Sequence, residues 1–114
     1  MEIEKYTINI FNEIGGDSAI SVDDGDMIYK KIDNALSQGL IVILDFQNIN
    51  LIITAFLNAA IGQLYSKYTS EQLNSNLKLE NIKPEDVLLF IKVIKNAKNY
   101  FDNPEDFENT VKEP

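Results

Sequence analysis

A run of five aliphatic residues, Leu40 to Leu44, constrains the fold of this chain more than any other feature. The run has the length of a strand. Because it is apolar at every position, it predicts a central strand buried on both faces, with helices covering them. Gly39 precedes the run and is expected to end a helix. Asp45 follows it, at the C-terminal strand edge where functional groups of α/β folds often gather.

Strand and helix patterns alternate before this run. Residues 6–11 are mostly β-branched and aromatic and predict a first strand, and residues 19–22 suit a short second strand. The glycines at 15 and 16 indicate a loop between them. Ser21 and an acid three residues later have the spacing of a capping box, so a helix is expected to start there. The buried stripe of this helix is predicted to be Ile28, Ile32, Ala35 and Leu36.

The alternation continues after the run. A polar turn over 47–50 leads into a helix that is expected to begin near Thr54 and to carry one apolar face as far as Tyr68. Three small residues near its middle, at 59, 60 and 62, predict close packing against a sheet. Residues 77–82 alternate in polarity and predict a strand nearer the edge of that sheet.

A last helix is expected to begin at Pro84 and to end before Asn103-Pro104. Its buried face is predicted to be Val87, Phe90, Ile91, Ile94, Ala97 and Phe101. The resulting order, β-(β)-α-β-α-β-α, is typical of the α/β class, with a small, mostly parallel sheet and right-handed crossover helices.

Length and composition bound the domain organisation. The 114 residues are 45% hydrophobic and 25% charged, which favours one globular domain, placed at residues 1–102. Residues 103–114 form an acidic tail that is expected to fray. No stretch is apolar enough to span a bilayer, and residues 1–5 do not resemble a signal peptide. We therefore expect a cytoplasmic protein that does not bind membranes.

The absent residue types exclude much chemistry. The chain has no Cys and no His, so thiol and imidazole catalysis and the metal sites that need these ligands are excluded. Neither a Walker A motif nor GxGxxG occurs. The net charge of −8, without a basic patch, argues against nucleic-acid binding. We expect a protein that is not an enzyme, with no catalytic residue, no cofactor and no metal.

The residues around the central strand suggest a family. Residues 21–25, the strand 41–46 with Asp45 near its end, and the segment 54–62 occur in an order that resembles STAS domains (sulfate transporter and anti-sigma factor antagonist). The resemblance is nearest to the small bacterial STAS-like proteins of uncharacterised function. It extends from about Tyr6 to Phe101.

The resemblance implies a regulatory role. Anti-sigma factor antagonists bind a switch kinase with a GHKL-type ATPase fold, and phosphorylation of a Ser at the start of the helix after the central strand ends that binding. The family pattern there is Asp-Ser-Ser-Gly, whereas this chain has Ile53-Thr54-Ala55-Phe56. Ala55 takes the place of the usual phospho-acceptor, and Thr54 is the nearest hydroxyl. Thr54 is thus either a phosphorylation site or the N-cap of its helix.

Two hypotheses remain open at this stage. In the first, the chain is a protein-interaction module whose partner, in keeping with the resemblance, is a GHKL-type ATPase or kinase. In the second, it is a small-ligand binder or an enzyme that uses the strand-end site at Asp45. A homodimer is compatible with either hypothesis. The candidate partner-binding residues are Asp45, Asn48, Asn50, Thr54, Ala55 and Asn58.

Overall fold

The computed structural model describes residues 4–102, which form five strands and five α-helices. The strands are β1 (Lys5–Asn9), β2 (Ser18–Ala19), β3 (Ile41–Asp45), β4 (Leu51–Ile52) and β5 (Leu77–Glu80). The α-helices are α1 (Ile10–Ile14), α2 (Val22–Ser37), α3 (Thr54–Ala60), α4 (Ser70–Asn76) and α5 (Val87–Asp102). Two 3₁₀ segments, Gly62–Ser66 and Pro84–Asp86, follow α3 and precede α5.

The strands divide into two parallel sheets. The larger sheet has the order β1-β3-β5, and β2 pairs with β4 in a separate two-stranded sheet. The predicted α/β class and the parallel strands are therefore confirmed. In the larger sheet Asn9, Asp45 and Glu80 stand side by side, so the three strands end level at their carboxyl edge.

The predicted burial of β3 on both faces is wrong. Val42 and Leu44 are fully buried, but Ile41 and Ile43 on the other face are only half-buried. Their neighbours in the register include exposed Thr7 and Lys78. The apolar run has no alternation of polar and apolar residues, so it does not show which face of the sheet the helices cover. The polar residues of the two flanking strands show which face stays exposed.

The first strand is shorter than predicted, because residues 10 and 11 belong to α1. The side chain of Asn9 accepts a hydrogen bond from the backbone N–H of Asn12 at 2.9 Å and so caps a short helix. Gly15 ends it in the left-handed conformation, at a φ of 75°. These end signals override the strand propensity of Ile10 and Phe11.

The predicted limits of α2 are confirmed. Ser21 accepts a hydrogen bond from the backbone N–H of Asp24 at 3.2 Å, as an N-cap does. At the other end Gly39 has a φ of 82°, which suits the residue after a helix. The predicted stripe lies inside, since Ile28, Ile32 and Ala35 are buried and Leu36 packs against the core.

The small residues of α3 pack against a helix, not against a sheet as predicted. Ala59 and Ala60 are buried where α3 crosses α2 at Gly25. The helix also ends earlier than expected. The side-chain amide of Gln63 donates to the carbonyl of Ala59 at 2.9 Å, the acceptor that its own backbone N–H would use in a continuing α-helix. The chain continues as the 3₁₀ segment Gly62–Ser66.

The buried face of α5 differs in part from the prediction. Phe90 and Ala97 are buried as expected, and so is Val93, which the prediction omits. Val87, Ile91 and Phe101 are exposed instead. The predicted tail, with the helix stop at Asn103-Pro104, lies outside the described residues. Within residues 4–102, no helix has both the length and the apolar character needed to cross a membrane.

Candidate functional site

Asp45 ends the central strand, and its carboxylate holds two loops. Its Oδ1 accepts the backbone N–H of Gln47 at 2.9 Å and the side-chain amide of Asn81 at 2.8 Å. The first bond closes the turn after β3, and the second ties this turn to the loop after β5. Asp45 therefore stabilises the turn after β3.

Asn50 joins three segments at the surface. Its side-chain amide donates to the Asp17 carboxylate at 2.9 Å, and its side-chain oxygen accepts from the Lys83 ammonium at 2.6 Å. The hydrogen bonds from Asn50 and Ser18 hold the pKa of Asp17 below its usual value. The backbone N–H of Asn50 also donates to the backbone carbonyl of Asp17, at 2.8 Å. Asn50 thus fixes the entrance to β4.

Asn48 adopts the left-handed backbone conformation in the same turn. It has a φ of 68°, in the left-handed region that Asn tolerates better than most residues. Its side chain is exposed. Asn48, Asn50 and Asp45 are thus explained first by the loop they build, and none of them requires a ligand.

Thr54 is the first residue of α3, and the N-cap position belongs to Ile53. The interpretation of Thr54 as an N-cap is therefore wrong. Ile53 supplies no side-chain oxygen, and the Thr54 side chain is exposed and makes no hydrogen bond with the described part of the chain. The Thr54 hydroxyl is thus open to a partner or to a modifying enzyme.

Ala55 and Asn58 extend this surface along α3. Both are exposed, and Asn58 lies one helical turn after Thr54 on the same side of the helix. Asn58 also borders a groove of about 500 Å³ between the 3₁₀ segment and the last turns of α5. Phe56, by contrast, is fully buried.

The sequence analysis missed an exposed apolar patch beside Thr54. Ala19 pairs with Ile52, and both are buried, so the residues on either side of them point outward. The exposed fractions are 47% for Ile20, 51% for Leu51 and 38% for Ile53, and Val22 at the start of α2 is 51% exposed. We call these four residues the β2–β4 patch.

A signal for the patch was present in the sequence. Residues two positions apart in a strand lie on the same face. Leu51 and Ile53 are both apolar at this spacing, and apolar Ile20 has the same spacing from Ser18. Which of the two faces turns outward depends on the pairing of β2 with β4, and the short segments do not specify that pairing.

The described residues bring no metal-type cluster together. Within residues 4–102, no three acidic side chains converge as the ligands of an ion would. The acids at the start of α2 occupy the first turn, where the helix dipole favours them. Around Thr54 the structure combines an exposed hydroxyl, a helix start and exposed aliphatic side chains.

A comparison with protein-family models matches residues 24–87 to a family described as "STAS-like domain of unknown function (DUF4325)". The chain belongs to this family. The matched span of the STAS-like domain includes all six candidate residues, from Asp45 to Asn58, whereas Ile20 and Val22 of the patch precede it. Searches of curated proteins and of solved structures gave no match.

Proposed function

We propose that this STAS-like domain is a non-enzymatic regulatory module that binds a partner protein through Thr54 and the β2–β4 patch. The observation that carries the proposal is the position of the patch, directly before the helix that begins with an unpaired Thr54 hydroxyl. Exposed apolar clusters with polar surroundings are common at protein–protein interfaces.

The patch supplies a reason for binding. Burying an aliphatic side chain completely is worth about 1.5–3 kcal/mol, and Ile20, Leu51 and Ile53 leave a third to a half of their surfaces in water. Association would recover part of this free energy. Ala19 and Ile52 of the short β2–β4 pair are buried and anchor it to the core, so the surface is preorganised for a partner.

Thr54 supplies a means of control. A phosphate there would place a charge near −2 beside aliphatic side chains that a partner must desolvate. By analogy with anti-sigma factor antagonists, we propose a GHKL-type ATPase or kinase as the partner and Thr54 as its phosphorylation site.

The experiment is an affinity purification of the tagged domain from its native cells, followed by calorimetric titration with the protein recovered. We expect a GHKL-type ATPase or kinase. Leu51→Asp should weaken its binding tenfold or more, a loss of about 1.4 kcal/mol. Thr54→Glu should have a similar effect, and Thr54→Ala, which adds no charge, should bind more tightly than Thr54→Glu.

The matched control is Leu88→Asp, which makes the same change at an exposed Leu on α5, outside the β2–β4 patch. It should leave the affinity unchanged. A partner that binds Leu51→Asp as tightly as the wild type refutes the patch. Equal affinity for Thr54→Glu and Thr54→Ala refutes the switch at Thr54 while leaving the patch in place.

A further inference from the structure

The outer face of α5 is apolar at its beginning. Leu88 is 77% exposed, the highest value among the large hydrophobic residues of the described chain, and Ile91 is 54% exposed. The two side chains are neighbours, because residues three apart in a helix lie on the same side. Helix α5 needs neither of them for its core contacts, which come from Phe90, Val93 and Ala97.

Charges of opposite sign flank this apolar pair. Glu85 and Asp86 precede it in the 3₁₀ segment that leads into α5, where Glu85 is exposed and Asp86 is half-buried. Lys92 and Lys95 follow it and are exposed, at helical spacings that put them on the side of Leu88 and Ile91. No acid of α5 lies three or four positions from either lysine. Within residues 4–102 none of the four groups forms an ion pair. The helix therefore presents an acidic start, an apolar middle and a basic continuation.

We propose that a second copy of this chain docks on this face, with the two α5 helices antiparallel. A two-fold axis midway between Leu88 and Ile91 places Leu88 of one copy against Ile91 of the other. The numbers of two facing residues, one from each copy, then add up to 179. Lys92 therefore faces position 87, one residue from Asp86. Lys95 faces position 84, one residue from Glu85, and one residue is a rise of about 1.5 Å.

Self-complementarity favours a second copy over other occupants. The antiparallel pair brings each lysine of one copy within one residue of an acid of the other, in a closed two-fold arrangement. A parallel pair would put like charges together. An anionic membrane or an acidic protein would satisfy Lys92 and Lys95 but would repel Glu85 and Asp86. Neither Thr54 nor any residue of the β2–β4 patch belongs to this face, so the inference does not rest on the proposed function.

The test is the mass of the full chain in solution, by light scattering and sedimentation over a wide range of concentration at low salt. The wild type should reach twice the monomer mass. Lys92→Glu with Lys95→Glu makes the whole face acidic, and Glu85→Lys with Asp86→Lys makes it basic. Each of these double variants should be monomeric alone, and an equimolar mixture of the two should form a heterodimer.

Two further variants separate the surfaces. Leu88→Asp should be monomeric, and because Leu88 is exposed, its thermal unfolding should match that of the wild type at concentrations where the wild type is dissociated. Leu51→Asp on the β2–β4 patch should still dimerise. A wild type that remains monomeric overturns the proposal, and so does a pair of double variants that fails to associate on mixing. Binding of the monomeric wild type to anionic vesicles would also overturn it.

Discussion

Gly25 lies against Ala59 so closely that no side chain fits between them. A Cβ on Gly25 would stand 2.7 Å from the Cβ of Ala59 and equally close to the carbonyl oxygen of Phe56. The close crossing of α2 and α3 therefore requires a residue without a side chain at position 25. Because α3 begins at Thr54, Gly25 also fixes the position of the proposed contact surface relative to the rest of the domain.

Gly25→Ala should therefore destabilise the domain. In an exposed helix the change would stabilise by about 1 kcal/mol, because Ala is the better helix former. Here the backbone carbonyl of Phe56 blocks the methyl group, and overpacking should cost about 1–3 kcal/mol net. Urea unfolding measures the difference. Gly16→Ala is the control, since a Cβ added at that position would have no atom within 4 Å. The stability of this variant should stay within about 0.5 kcal/mol of the wild type.

Tyr68→Phe should lower the free energy of unfolding by about 1–2 kcal/mol at neutral pH. The Tyr68 hydroxyl donates to the Asp33 carboxylate at 2.6 Å, and this bond, with a second from Lys67, lowers the pKa of Asp33. An equal stability of variant and wild type would show that the bond is not formed in solution.

The pH dependence of that difference follows from the same pair. A lowered pKa means that Asp33 stabilises the fold above its ordinary value of 3.8, and this contribution disappears as the pH falls through the folded-state value. The gap between Tyr68→Phe and the wild type should therefore narrow in acid. Burial and the bond to Asp33 raise the pKa of Tyr68 to about 12, so its contribution is complete below pH 10 and is lost towards 12.

Two substitutions at Asn81 should separate its backbone role from its side-chain role. Asn81 has a φ of 60° and donates to Asp45 at 2.8 Å. Asn81→Gly removes only the hydrogen bond, at a cost below about 1 kcal/mol. Asn81→Ala also forces a side chain into the left-handed region, which adds about 1–2 kcal/mol. Denaturant unfolding of both variants should rank Ala below Gly, and the opposite order would contradict the described turn.

Adjacent residues of β4 should respond differently to the same change. Ile52→Ser removes a buried aliphatic group and should cost about 2–5 kcal/mol. Leu51→Ser alters an exposed residue and should change stability by no more than about 0.5 kcal/mol. Thermal unfolding of the two variants tests whether Leu51 is free for a partner. A large loss with Leu51→Ser would show that the residue serves the fold itself.

The elements with strong local signals could be predicted from the sequence. Ser21 and Gly39 bound α2 as expected, and the apolar run became the central strand β3. Weak or conflicting signals failed. Ile10 and Phe11 have strand propensity, yet the cap at Asn9 makes them helical. Val87 and Ile91 fit an apolar helical stripe, but tertiary packing selects Val93 for the core instead.

The candidate site divides in the same way. Its location after β3 and the start of α3 at Thr54 followed from the order of elements. The roles of its residues did not, because hydrogen bonds that reach across the chain decide them. Asp45 and Asn50 are held by Asn81, Asp17 and Lys83, partners that lie 33 or 36 residues away in sequence.

The sequence by itself determined the α/β class, the parallel central strand, the family and the position of Thr54 at a helix start, because these depend on local periodicity and short-range order. Only the tertiary structure decided which apolar residues remain exposed. The pairing of β2 with β4 turns Ile20, Leu51 and Ile53 outward, and the seating of α5 leaves Leu88 and Ile91 in water. Burial depends on contacts between segments distant in the chain, and local pattern does not specify those contacts.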